Sequence, residues 1–104
     1  MKRKIPRPHP GEILEKEFME ELGLTAYRLA KCLHIPQQRL SEILRGKRGI
    51  SADTALRLGR FFGTTTALWM NLQAHFDLET AEERLGRKLR AIIPLARAKR
   101  RKLA

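Results

Sequence analysis

Apolar residues recur along this chain in steps of three and four, the spacing of helices with one buried face. Ile13, Leu14, Phe18 and Leu22 mark a first helix that starts near His9-Pro10. Pro10 suits the first helical position, where its missing N–H has no partner to lose. Glu12, Glu15 and Glu17 lie toward the positive end of that helix's dipole, and Gly23 supplies a C-cap. Thr25 is a suitable N-cap for a second helix with Leu29, Ala30 and Leu33 inside, Ala30 being small enough to let a neighbour approach. His34 and Ile35 make a turn. Pro36 starts a third helix running through Arg45, with Leu40, Ile43 and Leu44 on one face, and Gly46 stops it. Ser51 caps a fourth helix from Ala52, with Ala55, Leu58 and Phe62 inward and Gly63 at its end. Thr65 is the best-placed cap for a fifth, whose apolar face is Leu68, Trp69, Leu72 and Phe76. A further helix is expected from about Thr80 to Ile93, interrupted by Pro94. Helix-forming residues dominate and valine is absent, so the expected class is all-α.

The length of 104 residues fits one compact domain. The pattern divides it into a flexible basic arm at 1–8, a helical domain at 9–78, and a C-terminal helix with a basic tail at 79–104. One cysteine, Cys32, allows no internal disulfide, which favours a reducing cytoplasm. No apolar run approaches the roughly 18 residues of a membrane span.

The net charge of +11 is unevenly placed. Residues 1–8 carry four basic side chains and no acid, and residues 86–104 carry eight and none. Between them, residues 9–23 sum to −4, residues 24–60 to +6, and residues 61–85 to −3. The positive stretch covers the second, third and fourth helices. A positive field concentrated between acidic flanks attracts a polyanion.

Two short helices joined by a tight turn form a helix-turn-helix, whose second helix enters the major groove of DNA. The third helix has suitable chemistry. Its inner face is Leu40, Ile43 and Leu44, and its outer face offers Gln37, Gln38, Arg39, Ser41 and Arg45. Glutamine pairs with adenine and arginine with guanine through two hydrogen bonds each. An ordinary solvated face would carry several acids, and this one carries only Glu42. Base reading is therefore assigned to Gln37, Gln38, Arg39 and Ser41. Phosphate contacts are assigned to Thr25, Tyr27 and Arg28 at the start of the second helix and to Arg45, Lys47 and Arg48 beyond the third.

The residues that carry these elements resemble the HigA (or VapI) branch of the lambda-repressor-like helix-turn-helix proteins. The similarity covers roughly residues 8–80. It opens on Pro8-His9-Pro10-Gly11-Glu12-Ile13-Leu14 and continues through Arg39-Leu40-Ser41-Glu42-Ile43-Leu44 and Gly46-Lys47-Arg48-Gly49-Ile50-Ser51. It closes on Ala52-Asp53-Thr54-Ala55-Leu56-Arg57-Leu58 and Leu68-Trp69-Met70-Asn71-Leu72-Gln73. The resemblance implies a five-helix domain that forms a homodimer through its fifth helix, where Leu68, Trp69, Leu72 and Phe76 lie. Trp69 is also suited to the core, and the two roles are compatible. The resemblance further implies binding to an inverted-repeat operator in the protein's own promoter, and neutralisation of a HigB-type, mRNA-cleaving toxin. A stand-alone regulator of the same fold is the alternative, and an RNA-binding protein using its basic tails is a third reading. The chain departs from the common pattern at the turn, where His34 stands in place of the frequent glycine. The tail after Gly86 lies outside the family core.

Nothing in the pattern points to catalysis or to a cofactor. His9, His34 and His75 show no metal-ligand spacing with one another or with Cys32, which suits a small helix residue near the core. No glycine-rich phosphate loop and no Ser/His/Asp arrangement is present.

Overall fold

A computed structural model of the chain describes residues 7–98. Most of the arm expected at 1–8 and the end of the basic tail lie outside the described residues. All the regular elements among them are helical. Segments Pro10–Ile13, Leu14–Met19 and Glu20–Leu22 follow one another without a break and form α1. They are followed by α2 (Ala26–Leu33), α3 (Gln37–Leu44), α4 (Ala52–Phe62) and α5 (Thr66–Leu85). Two short helices, α6 (Arg87–Arg90) and α7 (Leu95–Ala98), complete the described chain.

The ends of the helices lie where the capping residues put them. The side-chain oxygens of Thr25, Ser51 and Thr65 accept from the backbone N–H groups of Arg28, Thr54 and Leu68, each three residues on. Gly23 and Gly63 adopt the left-handed conformation that closes α1 and α4. Two boundaries differ from expectation. Pro36 is the N-cap of α3, extended at ψ 141°, and Gln37 is its first helical residue. No new helix begins near Thr80, because the stretch after Phe76 contains neither glycine nor proline until Gly86, and α5 runs through it unbroken. Gly86, at φ 47° and ψ −121°, breaks the helix.

The middle of α1, Leu14–Met19, is a π-helical segment. Its i→i+5 bonding brings residues five apart onto one face. Met19 thereby joins Leu14 inside, taking the place that α-helical spacing assigns to Leu22, which stays 62% exposed.

Leu14, Leu29, Leu40, Ile43, Ala55, Leu58 and Trp69 have no exposed surface and form the centre of the core. In it α1 packs on α3 and α5, α2 on α3 and α4, and α4 on α5. The α1–α3 crossing is close: a Cβ on Gly11 would overlap the carbonyl oxygen of Ile43. Trp69 packs against the rings of Phe18 and Phe62, which also touch each other, with centroids at 4.9 and 6.2 Å, and its indole N–H donates to Thr64 Oγ1 at 2.8 Å.

His9 caps α1. Its Nδ1 accepts from the Gly11 N–H at 2.9 Å, and its ring meets Phe76 edge-on at 4.9 Å. Burial holds its pKa below the ordinary 6.5, against the pull of Asp77 and Glu12. The unfolded chain therefore takes up a proton at His9 before the folded one does, and protonating Nδ1 removes the cap's acceptor. Stability linked to His9 is complete above pH 6.5 and is lost as the pH falls below it. The melting temperature is expected to drop between pH 7.5 and 5.5, and His9→Asn, which keeps a capping oxygen without a titrating ring, should flatten that drop. An equal slope in the variant would remove His9 from the account.

Candidate nucleic-acid interface

The turn between α2 and α3 is shaped by His34, which adopts φ 59° and ψ 45°. The His34 N–H donates to Lys31 O at 3.2 Å and the Ile35 N–H to Ala30 O at 3.1 Å, the paired bonds of a Schellman closure. Ile35 folds inward and is 8% exposed. Histidine tolerates this left-handed conformation at some cost. Arg57 of α4 adds to the closure by donating from Nη1 to the carbonyls of Leu33 (2.9 Å) and His34 (3.1 Å). A cation is favourable at this negative end of α2.

Leu40 and Ile43 anchor α3 in the core with no exposed surface, and Leu44 is half-buried beside them. The opposite side faces outward. Gln37 and Gln38 are exposed, while Arg39 and Ser41 are half-buried. Arg45, Lys47 and Arg48 are exposed beyond the end of the helix, and Thr25, Tyr27 and Arg28 are exposed at the start of α2. Lys31 lies 5.3 Å from the centroid of the Tyr27 ring.

Two carboxylates brace this surface. Glu42 accepts from Gln38 Nε2 at 3.2 Å and from Arg48 Nε at 2.8 Å. Asp53 accepts from Arg57 Nε at 2.7 Å and from Arg39 Nη1 at 2.9 Å. Arg39 Nη1 also donates to Thr54 Oγ1 at 3.2 Å. The Arg48 guanidinium holds the Glu42 carboxyl below the usual range, with Gln38 adding to the effect. Arg57 and then Arg39 do the same for Asp53. Both acids are therefore ionised at neutral pH, and they hold three of the assigned DNA-contacting side chains, Gln38, Arg39 and Arg48.

The loop after α3 is held from behind by Gln73 of α5, which is 9% exposed. Its Oε1 accepts from the Ile50 N–H at 2.7 Å, and its Nε2 donates to Asp77 Oδ1 at 2.9 Å. Gly49 passes so close that a Cβ there would stand 3.0 Å from the Gln73 amide. This tie presents Lys47 and Arg48 beside the end of α3. Glu42, Asp53, Thr54, Arg57 and Gln73 have no role in the reading of periodicity. All five nevertheless lie inside the sequence blocks that carry the family resemblance.

The four residues assigned to a partner-facing side of α5 turn mainly inward. Trp69 has no exposed surface, so any effect it has on a partner runs through the core. Leu68 and Leu72 are half-buried against the core, and Phe76 is half-buried against His9. The outward side of α5 carries Met70 and Leu78, at 37% and 64% exposure. Cys32 is exposed rather than near the core, because Leu29, Ala30 and Leu33 occupy the inner face of α2. It borders an open groove of about 520 Å³ with Leu56, Arg60 and Phe61. No helix among the described residues is long and apolar enough to cross a membrane.

The sequence profile of the helix-turn-helix family matches residues 16–69, from the middle of α1 to Trp69. Virulence-associated protein I of Dichelobacter nodosus is 47% identical over 91% of this chain and 87% of its own. A solved structure of the Pseudomonas aeruginosa antitoxin HigA with the higBA promoter superposes with a TM-score of 0.83. It is 43% identical over 86% of this chain and 99% of that one. This chain belongs to the HigA branch of the helix-turn-helix family. Another structure of the branch, the antitoxin GraA in complex with its operator, is 41% identical with a TM-score of 0.80. That alignment covers 90% of this chain and 95% of GraA. The matched residues 16–69 hold the braced α2–α3 turn and most of the core, while Leu14 and Gln73 lie just outside them.

Proposed function

We propose that this protein is a DNA-binding antitoxin and autorepressor, not an enzyme. The observation that carries this reading is the outer face of α3, whose glutamines and arginines are presented by a rigid core in a chain of the HigA branch. Relatives of that branch have been solved with a promoter and with an operator. Residues 9–78 form the DNA-binding unit in this reading. Gln37, Gln38, Arg39 and Ser41 meet base edges. Thr25, Tyr27, Arg28, Arg45, Lys47 and Arg48 contact phosphates and set the register. The protein acts in the cytoplasm as a homodimer on an inverted repeat, its two α3 helices entering major grooves about 34 Å apart. Its protein partner is a HigB-type, mRNA-cleaving toxin, which it neutralises by binding.

The test is coexpression with the neighbouring reading frame, followed by purification and footprinting on the upstream region. The expected result is a stable complex with a small ribonuclease, whose RNA cleavage stops in the complex, and a symmetric footprint of two half-sites. A footprint without a neighbouring partner would leave a stand-alone regulator. Preference for structured RNA over the upstream duplex would contradict both readings.

A further inference from the structure

Asp53 is an acid on a surface proposed to face a polyanion, where its charge opposes binding. Electrostatic attraction to phosphate therefore gives no reason for it. Its position suggests a different role. It is the second residue of α4, 56% exposed, and it accepts from two guanidiniums of different elements. One is Arg57, which is fixed at its other end to the carbonyls that close the α2–α3 turn. The other is Arg39, in the first turn of α3.

The atoms involved matter. Asp53 and the buried Thr54 hydroxyl both engage Arg39 through Nη1. Among the described residues, Nε and Nη2 have no partner. Those two donors lie on one edge of the planar fork, and a fork edge is what pairs with guanine O6 and N7. The side chain is held by one corner with a reading edge still free. An unheld arginine loses rotamer freedom on binding, and one already held has less to lose.

We propose that Asp53 is a specificity-determining positioning residue, which fixes Arg39 so that its Nε–Nη2 edge reads a guanine. This inference rests on the reading of α3 as the base-reading helix. Asp53 acts through Arg39 and makes no base contact of its own.

The opposing effects of its charge and its positioning make the test sharp. A duplex is first selected by the parent protein from a random pool, and a shuffled duplex of the same composition serves as reference. Binding of both is then measured for the parent, Asp53→Asn, Asp53→Ala, Arg39→Ala and the Asp53→Ala/Arg39→Ala double variant. Exposed ion pairs add little stability, so the Asp53 variants should fold, and their melting temperatures are recorded. With positioning at work, removing the acid leaves shuffled-duplex affinity equal or higher. Preference for the selected duplex falls about tenfold, within the range of one bidentate base contact. In the Arg39→Ala background, removing Asp53 causes no further loss of preference. The proposal is overturned if both duplexes gain affinity by the same factor, because Asp53 would then be only a repulsive charge. It is also overturned if preference stays at the parent level, or if the losses from Asp53→Ala and Arg39→Ala add in full. A parent that selects no sequence at all would instead overturn the DNA-reading role of α3, and this proposal with it.

Discussion

Replacing Trp69 by alanine is expected to cost about 3–5 kcal/mol of stability, the usual range for a fully buried tryptophan. The indole has no exposed surface, packs against the rings of Phe18 and Phe62, and joins α1, α4 and α5 through those contacts. A domain of this size has roughly 5–15 kcal/mol in total, so the variant loses a large share of it. The melting temperature should fall by at least about 12 °C at roughly 4–8 °C per kcal/mol. Trp69→Phe should lose much less, since it keeps a ring in the cluster and gives up mainly the bond to Thr64 Oγ1. Thermal melts of the two variants beside the parent check this. A Trp69→Ala variant that melts with the parent would mean that the three helices do not share this centre.

Truncating the outer face of α3 is expected to act on sequence choice instead of stability. Gln38→Ala and Arg39→Ala should each lower discrimination between operator and unrelated duplex by about 1–3 kcal/mol per good base contact. Both side chains lie on the solvent side of a helix whose anchors, Leu40 and Ile43, are untouched. Lys47→Ala should behave differently. Its side chain stands in the loop held by Gln73 and is assigned to phosphate, so binding to every duplex should weaken alike. The slope of log K against log salt should become shallower by about one. Titrations of operator and unrelated duplexes at several salt concentrations separate the two kinds of effect. Equal losses on all sequences from Gln38→Ala would place that residue among the phosphate contacts.

Much of the fold was legible because it depends on local chemistry. A capping hydroxyl, a left-handed glycine and apolar spacing act within one or two helical turns, so Thr25, Ser51, Thr65, Gly23 and Gly63 mark real boundaries. His34 was legible as the turn, and its positive φ is the conformation its place requires. Tertiary features were less visible. The π-helical stretch that turns Met19 inward belongs to the packing of α1 on its neighbours and leaves no mark in a 3.6-residue period. The length of α5 was obscured by Thr80, a residue suited to a cap that here lies mid-helix. At the interface, the outward residues of α3 followed from its inward ones. The ties behind them did not. Arg39 meets Asp53 from 14 residues away, Arg57 meets Leu33 from 24, and Gln73 meets Ile50 from 23. Pairings of that range have no periodic signature, and only the family blocks, which contain each of those residues except Leu33, mark them.

Methylation interference on the operator tests the central claim most directly, because guanine N7 lies in the major groove. Methylating N7 at a few symmetric guanines in each half-site should block binding by the parent protein. Arg39→Ala, having no guanidinium to lose, should become indifferent to methylation at one of those positions while remaining sensitive at the others. A parent protein unaffected by N7 methylation, or an Arg39→Ala variant with an unchanged interference pattern, would contradict the reading of bases by α3.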